Sequence, residues 1–276
     1  MQSTLITSAP TTPIERSQIR ARPAGFLTDT AVIAGRALRA VPRDLESVIP
    51  PVFISLFFFL VNIGTLQHLT EQNIPNFDFT AFMMPTAILL GVTGVSRAPA
   101  LVIDVQDGYF DRLLLTPVRR LAILLGHLCA DVTVAAALTV PILIVGFLLG
   151  VRFESGPAGI VVFILIAAGW SLAFSGFGYA VALKTGNPGA VNSMFLLFFP
   201  FLFLTTSYVP KNQLSGWLHA VAAWNPVTYL LEGLRSLVTT GWDASAIGAA
   251  LLAVVIVGAI SMTLCFAALR GRIRRG

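Results

Sequence analysis

Charged residues are scarce in this sequence, and their scarcity decides the broad class of protein. Asp, Glu, Lys and Arg make up 11% of the 276 residues, hydrophobic residues make up 56%, and the mean hydropathy is +0.83. A soluble globular domain carries about 25% charged residues. The composition therefore predicts a membrane protein.

The sequence also lacks the motifs that would indicate an enzyme. It has no phosphate-binding loop of the form Gly-x-x-x-x-Gly-Lys-Ser/Thr, no Gly-x-Ser-x-Gly nucleophile elbow and no His-Glu-x-x-His zinc motif. Its two cysteines, Cys129 and Cys265, fall inside apolar runs and have no metal-binding or redox spacing. We therefore predict no catalytic residue, no metal site and no cofactor in this chain.

Long charge-free runs predict six transmembrane helices. A helix of about 20 apolar residues crosses the hydrocarbon of a bilayer, and six runs are long enough or nearly so. We place the spans at about 48–67, 79–103, 118–149, 157–183, 190–208 and 245–269. The runs do not alternate with the period of barrel strands. The predicted fold class is all-α, a polytopic membrane protein with a single domain over residues 28–270.

The distribution of basic residues predicts the orientation of these spans. Of the 18 Lys and Arg residues, all but Arg152, Lys211 and Arg235 fall on one side of a six-span arrangement, which by the positive-inside rule is the cytoplasmic side. Both termini are then cytoplasmic, residues 1–27 as a disordered tail and 271–276 as a short basic tail. The net charge of +5 reflects this topology and does not indicate nucleic-acid binding.

An amphipathic segment precedes the first predicted span. Residues 28–46 fit a helix that lies in the cytoplasmic interface, with arginines at the level of the lipid headgroups. These arginines are Arg36, Arg39 and Arg43. The helix could act as a lever under the membrane or as a simple anchor, and the pattern alone supports both hypotheses.

The only long charged stretch between two apolar runs follows the second predicted span. Asp104, Asp107 and Asp111 are spaced so that a helix would place all three carboxylates on one face, with Phe110 and Leu113 on another. The pattern fits a short amphipathic helix that receives a push from outside the bilayer. An ordinary solvated loop fits it equally well.

The third predicted span contains two polar residues, His127 and Asp131, on one helix face. An aspartate at mid-depth costs about 2.5–3.5 kcal/mol on insertion scales, so it should face protein or water. It could belong to a proton or substrate site, or it could be a packing group paired with another span or a helix end. We favour the packing role, because one such pair does not make a relay.

Residues 209–235 are too apolar for a free loop, and Pro210 and Pro226 break them into pieces too short to span. We predict two short helices that dip into the outer leaflet. The aromatic residues that favour this interface are Trp217, Trp224 and Tyr229. Glu232 and Arg235, three residues apart, are expected to form an ion pair there.

Four stretches of the chain, spread over about residues 30–270, resemble the permease subunits of type 2 ABC exporters, and among these the daunorubicin-resistance-like drug and lipid exporters. They are Arg39-Ala-Val-Pro-Arg-Asp-Leu45, Asp107-Gly-x-x-Asp-Arg-Leu-Leu-Leu-Thr-Pro-Val118, Leu125 to Asp131 with Gly146-Phe-Leu-Leu-Gly150, and Val209 to Arg235. The chain departs from the family pattern at two places. Val105-Gln106-Asp107 stands where relatives often have an acidic residue and Arg before the loop glycine, and His127 stands where they commonly have Arg or Lys.

The resemblance implies a subunit architecture and a set of roles. Two permease chains, identical or paralogous, pair in the lipid of a bacterial plasma membrane, and two separate ATP-binding subunits, which hold ATP and Mg²⁺, dock underneath. The implied ATPase-coupling residues are Asp104, Asp107, Gly108, Phe110, Asp111, Arg112 and Leu113. The implied outer gate comprises Trp217, Asn225, Pro226, Glu232 and Arg235. The implied function is ATP-driven export of an amphiphilic drug-like or lipid-like substrate.

Three other functions compete with this one. A permease for a lipid-linked glycan would have the same architecture and a different cargo. A proton-coupled secondary carrier would use the four ionisable residues His127, Asp131, Glu232 and Arg235. A membrane scaffold would transport nothing.

Overall fold

The computed structural model describes residues 25–43, 48–75, 77–108 and 120–273, and within these ranges the chain is helical with no β-strand. In chain order the helices are α1 (Phe26–Ala40), α2 (Ile49–Asn73), α3 (Phe79–Thr93), α4 (Ala98–Gln106), α5 (Arg120–Leu148), α6 (Gly156–Thr185), α7 (Pro188–Phe203), α8 (Gly216–Trp224), α9 (Pro226–Thr239) and α10 (Ala244–Ile273). The all-α prediction is confirmed for these residues.

Five helical segments are long and apolar enough to cross a membrane. They are α2, α3 taken together with α4, α5, α6 and α10. The chain is therefore a multi-pass membrane protein. The sixth predicted span, 190–208, corresponds to α7, which has 16 residues and ends at Phe203. A sixth crossing stays a prediction.

The second predicted span is not one continuous helix. It breaks between Thr93, where α3 ends, and Ala98, where α4 begins. Pro99 explains the break, because proline has no N–H to donate inside a helix but is well tolerated in the first turn of a new one. The inner half, α4, thus has its own direction and its own contacts.

Small residues allow the long helices to pack closely. Every residue of α3 is buried, and α3 contacts α2, α5, α6 and α9. Helices α6 and α10 meet at Gly176, where an added Cβ would lie 2.6 Å from Ser261 Oγ, and Ser261 donates to the carbonyl of Ala173 at 2.5 Å. Such small-residue contacts are typical of helix packing in membranes.

The two ends of the bundle are held by different contacts. At the end that carries α1, which we call the α1 end, Gln106 Nε2 donates to the carbonyl of Gly186 at 2.9 Å. At the opposite end, which we call the hairpin end, the main-chain N–H groups of Glu154 and Ser155 donate to the carbonyls of Val238 and Leu237. Helices α8 and α9 form the helical hairpin at this second end, where two short helices were predicted in residues 209–235, and α9 continues beyond that segment to Thr239.

Candidate functional site

The α1 end contains a polar junction of three helices. Arg36 Nη2 of α1 donates to Asp104 Oδ2 of α4 at 2.5 Å, and His127 Nε2 of α5 lies 3.9 Å from the same oxygen. His127 is buried, whereas Arg36 and Asp104 are partly exposed. The junction therefore links α1, the predicted interface helix, to α4, which begins the segment predicted to respond to a partner outside the bilayer.

Helix α1 also packs tightly against α5. A Cβ added to Gly126 would lie 2.6 Å from Ile33 Cγ2 and 3.1 Å from the main-chain nitrogen of Ala34, so only glycine allows this approach. Ile33 and Ala37 are buried there, while Arg39 is exposed. Arg43 ends the short 3₁₀ turn after α1, and its side chain lies outside the described residues. Helix α1 is thus attached to the bundle as well as amphipathic.

The predicted helix through the three aspartates is interrupted, and this part of the coupling-helix prediction is wrong. Helix α4 ends at Gln106, and Gly108 has a φ of +69°, a left-handed conformation that ends helices. Asp104 lies in the last turn of α4 and faces Arg36, whereas Asp107 follows the helix and is exposed. Phe110, Asp111, Arg112 and Leu113 lie outside the described residues, so their coupling roles stay predictions.

Asp131 holds the break between α3 and α4. Its carboxylate is fully buried, and it accepts hydrogen bonds from the main-chain N–H of Arg97 at 2.8 Å and from the hydroxyl of Tyr179 at 2.8 Å. The N–H of Arg97 is at the start of α4, where helical N–H groups have no partner within the helix. This geometry is what a packing group paired with a helix end requires.

Asn225 joins two helices at the hairpin end. Its Nδ2 donates to the carbonyls of Phe201 and Leu204 where α7 ends, and its Oδ1 accepts from the N–H of Val227 in the first turn of α9. One buried side chain therefore caps both helix termini. Pro226 occupies the first position of α9, where its missing N–H costs nothing.

Arg235 is buried and binds oxygen atoms of other segments instead of Glu232, so the predicted Glu232–Arg235 ion pair is wrong. The Nε of Arg235 donates to the carbonyl of Phe82 at 3.0 Å, and its guanidinium carbon lies 3.5 Å from the centre of the Phe82 ring. The other donors bind Thr206 Oγ1, Thr86 Oγ1 and the carbonyl of Ser207. Arg235 thereby connects α9 to α3 and to the segment after α7.

Trp217 of the predicted gate, and Trp224, which was predicted to favour the outer interface, lie outside this network. Trp217 is 71% exposed and Trp224 is 90% exposed, and seven residues apart on α8 they share one face. The structure brings Asn225 and Pro226 together at the start of α9. It does not bring Trp217 and Trp224 to Arg235.

A cleft that sequence reasoning missed lies beside the break in the second span. It measures about 220 Å³ and is lined by α2, the end of α3, the residues of the break, α4, α6 and α7. Most of the lining is apolar, and its polar residues are Thr93, Ser96, Ser175 and Asn192. Gly94 and Pro99 near the end of an apolar run were the sequence signal for a break at this position.

Comparison with known proteins places this arrangement among transport proteins. The model of a family described as ABC-2 type transporter matches residues 28–239. The daunorubicin resistance ABC transporter permease protein DrrB1 of Streptomyces coeruleorubidus is 28% identical over 218 residues, which cover 75% of this chain and 74% of that protein.

Other relatives carry similar descriptions. The probable doxorubicin resistance ABC transporter permease protein DrrC of Mycobacterium tuberculosis (strain CDC 1551 / Oshkosh) is 27% identical over 219 residues, which cover 78% of this chain and 79% of that protein. The putative transport permease ycf38 of Cyanophora paradoxa is 23% identical over 218 residues, which cover 77% of this chain and 74% of that protein.

Proposed function

The chain belongs to the ABC-2 type transporter family, and from this membership we propose that it is the permease subunit of an ATP-driven exporter of an amphiphilic, drug-like or lipid-like cargo. The observation that carries the proposal is the family match over residues 28–239, which covers almost all of α1 and continues to the end of α9. Two relatives named for resistance to daunorubicin and doxorubicin support a drug-like cargo.

In this proposal the chain acts with other subunits. A second permease chain, identical or paralogous, completes the membrane unit, and two ATP-binding subunits hold ATP and Mg²⁺ outside this chain. The chain lies in the plasma membrane of a bacterium, with both termini in the cytoplasm and α7 as the sixth crossing. The α1 end then faces the ATP-binding subunits, and α8 and α9 form a re-entrant hairpin on the outer side.

The junction at the α1 end provides a route for a mechanical signal. A movement of the chain after Gly108 reaches α4 directly, and the Arg36–Asp104 ion pair passes it to α1. Because α1 packs against α5 at Gly126, the same movement bears on a membrane span. ATP binding that favours one position of α4 over another would therefore shift the spans between two states.

The cleft beside the break fits the proposed cargo. Its walls are mainly apolar, with a few hydroxyl and amide groups, as expected of a site for amphiphilic molecules. The buried contacts of Asp131 argue against a proton-coupled carrier, because both of its oxygens already accept hydrogen bonds from protein groups.

The test is purification of the tagged chain in mild detergent, followed by identification of its partners. We expect a phosphate-loop ATPase in equal amount, and after reconstitution an ATP hydrolysis rate that rises with the cargo. Stimulation by a lipid-linked glycan and not by drug-like amphiphiles would assign the alternative cargo. A chain that purifies alone and transports only under a proton gradient would overturn the proposal.

A further inference from the structure

A second cavity, which shares the lining residues Phe174 and Met194 with the cleft, lies between α6, α7, the start of α9 and α10. It measures about 290 Å³. Its walls include the rings of Trp170, Phe174 and Phe198, with Val227 and Val257 from α9 and α10. The rings contact one another, with centroids 4.5 Å apart for Phe174 and Phe198 and 5.9 Å apart for Trp170 and Phe198. The cavity is a pocket between packed helices and has an almost wholly apolar wall.

The few polar groups in this wall are already used by the protein. Trp170 Nε1 donates to Thr93 Oγ1 at 2.9 Å. The amide of Asn225 donates to carbonyls at the end of α7 and accepts from the N–H of Val227, and Pro226 has no N–H. A ligand with hydroxyl, amine or carbonyl groups in the cavity would lose its hydrogen bonds to water and gain none. The wall therefore selects a group without polar atoms.

The position of the cavity determines what can enter it. Trp170 and Val257 each lie near the middle of a 30-residue helix, roughly 20 Å from either end, which places them near the middle of about 30 Å of hydrocarbon. Phe201, which lines the cavity, is 58% exposed, and Ile260, one turn from Val257, is 52% exposed. The mouth is thus continuous with the apolar outer surface of two helices.

We propose that this cavity binds one acyl chain of a bilayer lipid, inserted sideways under the start of α9. The apolar wall, the mid-membrane depth and the open apolar mouth all match an unbranched hydrocarbon chain whose headgroup stays outside. Transported cargo with polar groups is excluded by the same wall. Because Pro226 and Val227 begin α9 at this cavity, a bound chain supports the hairpin from below.

The test measures quenching of tryptophan fluorescence by phosphatidylcholine that carries bromine on its acyl chains. The full chain is placed in vesicles of brominated or unbrominated lipid, and the signal of Trp170 is isolated in a variant with Trp217, Trp224 and Trp242 replaced by Phe. Trp170 is almost wholly buried and lines the cavity, so an acyl chain that brings bromine into the cavity would quench its fluorescence strongly. The difference between the parent chain and Trp170→Phe gives the same quantity should the triple variant fold poorly.

Two matched substitutions on α10 identify the site. Val257→Phe fills the cavity and is expected to lower the quenching at least about twofold, because close-packed interiors leave no room for both groups. Val255→Phe adds the same ring on the outer surface, where Val255 is 64% exposed, and should leave the quenching unchanged. Absent quenching in the parent, or equal loss in both variants, overturns the proposal. Relief of the quenching by an added aromatic drug-like amphiphile would assign the cavity to cargo and overturn it as well.

Discussion

The hydroxyl of Tyr179 in α6 and the main-chain N–H of Arg97 donate to different oxygens of the same carboxylate, that of Asp131 in α5. Three separate segments therefore meet at one fully buried group. Burying a carboxylate is costly unless its oxygens are hydrogen-bonded, and here both are. The contact fixes where α4 begins relative to α5 and α6.

We expect Asp131→Asn to be tolerated and Asp131→Ala to be destabilising. Asparagine keeps an oxygen for the N–H of Arg97 and offers an N–H to Tyr179, whereas alanine leaves two buried donors without partners, at about 1–3 kcal/mol each. The measurement is the thermal unfolding of the purified chain together with transport. Loss of transport in Asp131→Asn with unchanged unfolding would instead give this residue a direct role in transport.

Reversing one charge of the Arg36–Asp104 pair should uncouple ATP hydrolysis from transport. Arg36→Glu removes the link between α1 and α4, and the double exchange Arg36→Asp with Asp104→Arg should restore it. The effect on stability should be small, about 0.2–1 kcal/mol, because the pair is partly exposed. The measurement is the amount of cargo moved per ATP hydrolysed.

Arg39→Glu is the matched control for this experiment, because Arg39 is exposed on the same helix. It carries the same change of charge and should leave the amount of cargo moved per ATP hydrolysed near that of the parent. Equal loss in Arg36→Glu and Arg39→Glu would mean that surface charge, and not the ion pair, sets the coupling.

Gly126→Ala should displace α1 from α5. The added methyl group would lie 2.6 Å from Ile33 Cγ2, and overpacking of this kind costs about 1–3 kcal/mol. Gly248→Ala in α10, where no atom of another described segment lies within 4 Å of the new Cβ, should be neutral or stabilising by up to about 1 kcal/mol. Thermal unfolding of the two variants side by side gives the answer, and equal midpoints would contradict the packing of α1.

Arg235→Lys should destabilise the hairpin end, and Glu232→Gln should not. Lysine has no planar fork to reach the oxygens of Phe82, Thr86 and Thr206 together, so buried acceptors lose partners, at about 1–3 kcal/mol. Glu232 forms no hydrogen bond with Arg235 and acts on it only through the longer-range attraction of its charge, so Glu232→Gln should cost less than Arg235→Lys. Unfolding midpoints measure both changes. A larger fall in the unfolding midpoint of Glu232→Gln than of Arg235→Lys would instead support the ion pair predicted from sequence.

Hydropathy and turn residues predicted most of the helices but not their long-range contacts. Pro226 and the aromatic residues around it indicated two short helices after residue 209, and the structure has α8 and α9 there. A local rule also favoured Glu232 as the partner of Arg235, whereas its actual partners include Phe82, 153 residues away. Periodicity contains no information about such distant acceptors, because it describes one helix at a time.

The same limit applies to the charged segment after the second span. Three aspartates at helical spacing favoured one helix, but the left-handed conformation of Gly108 separates Asp104 from the residues that follow. Glycine next to Asp107 was the available signal, since it commonly ends helices. The direction of Asp104 toward Arg36 depends on the position of α1, which the spacing of the aspartates does not encode.

The break at residues 94–97 provides a hinge between the two helices of the second span, α3 and α4. The main-chain groups of residues 94–97 are already outside regular helix. A change in the angle between α4 and the wholly buried α3 would therefore break no helical hydrogen bond. Asp131 accepts a hydrogen bond from the N–H of Arg97 and so lies at this hinge. With an arm of roughly 13 Å, a swing of about 10° would carry its tip by about 2 Å, a stroke comparable to a shift of one helix past another.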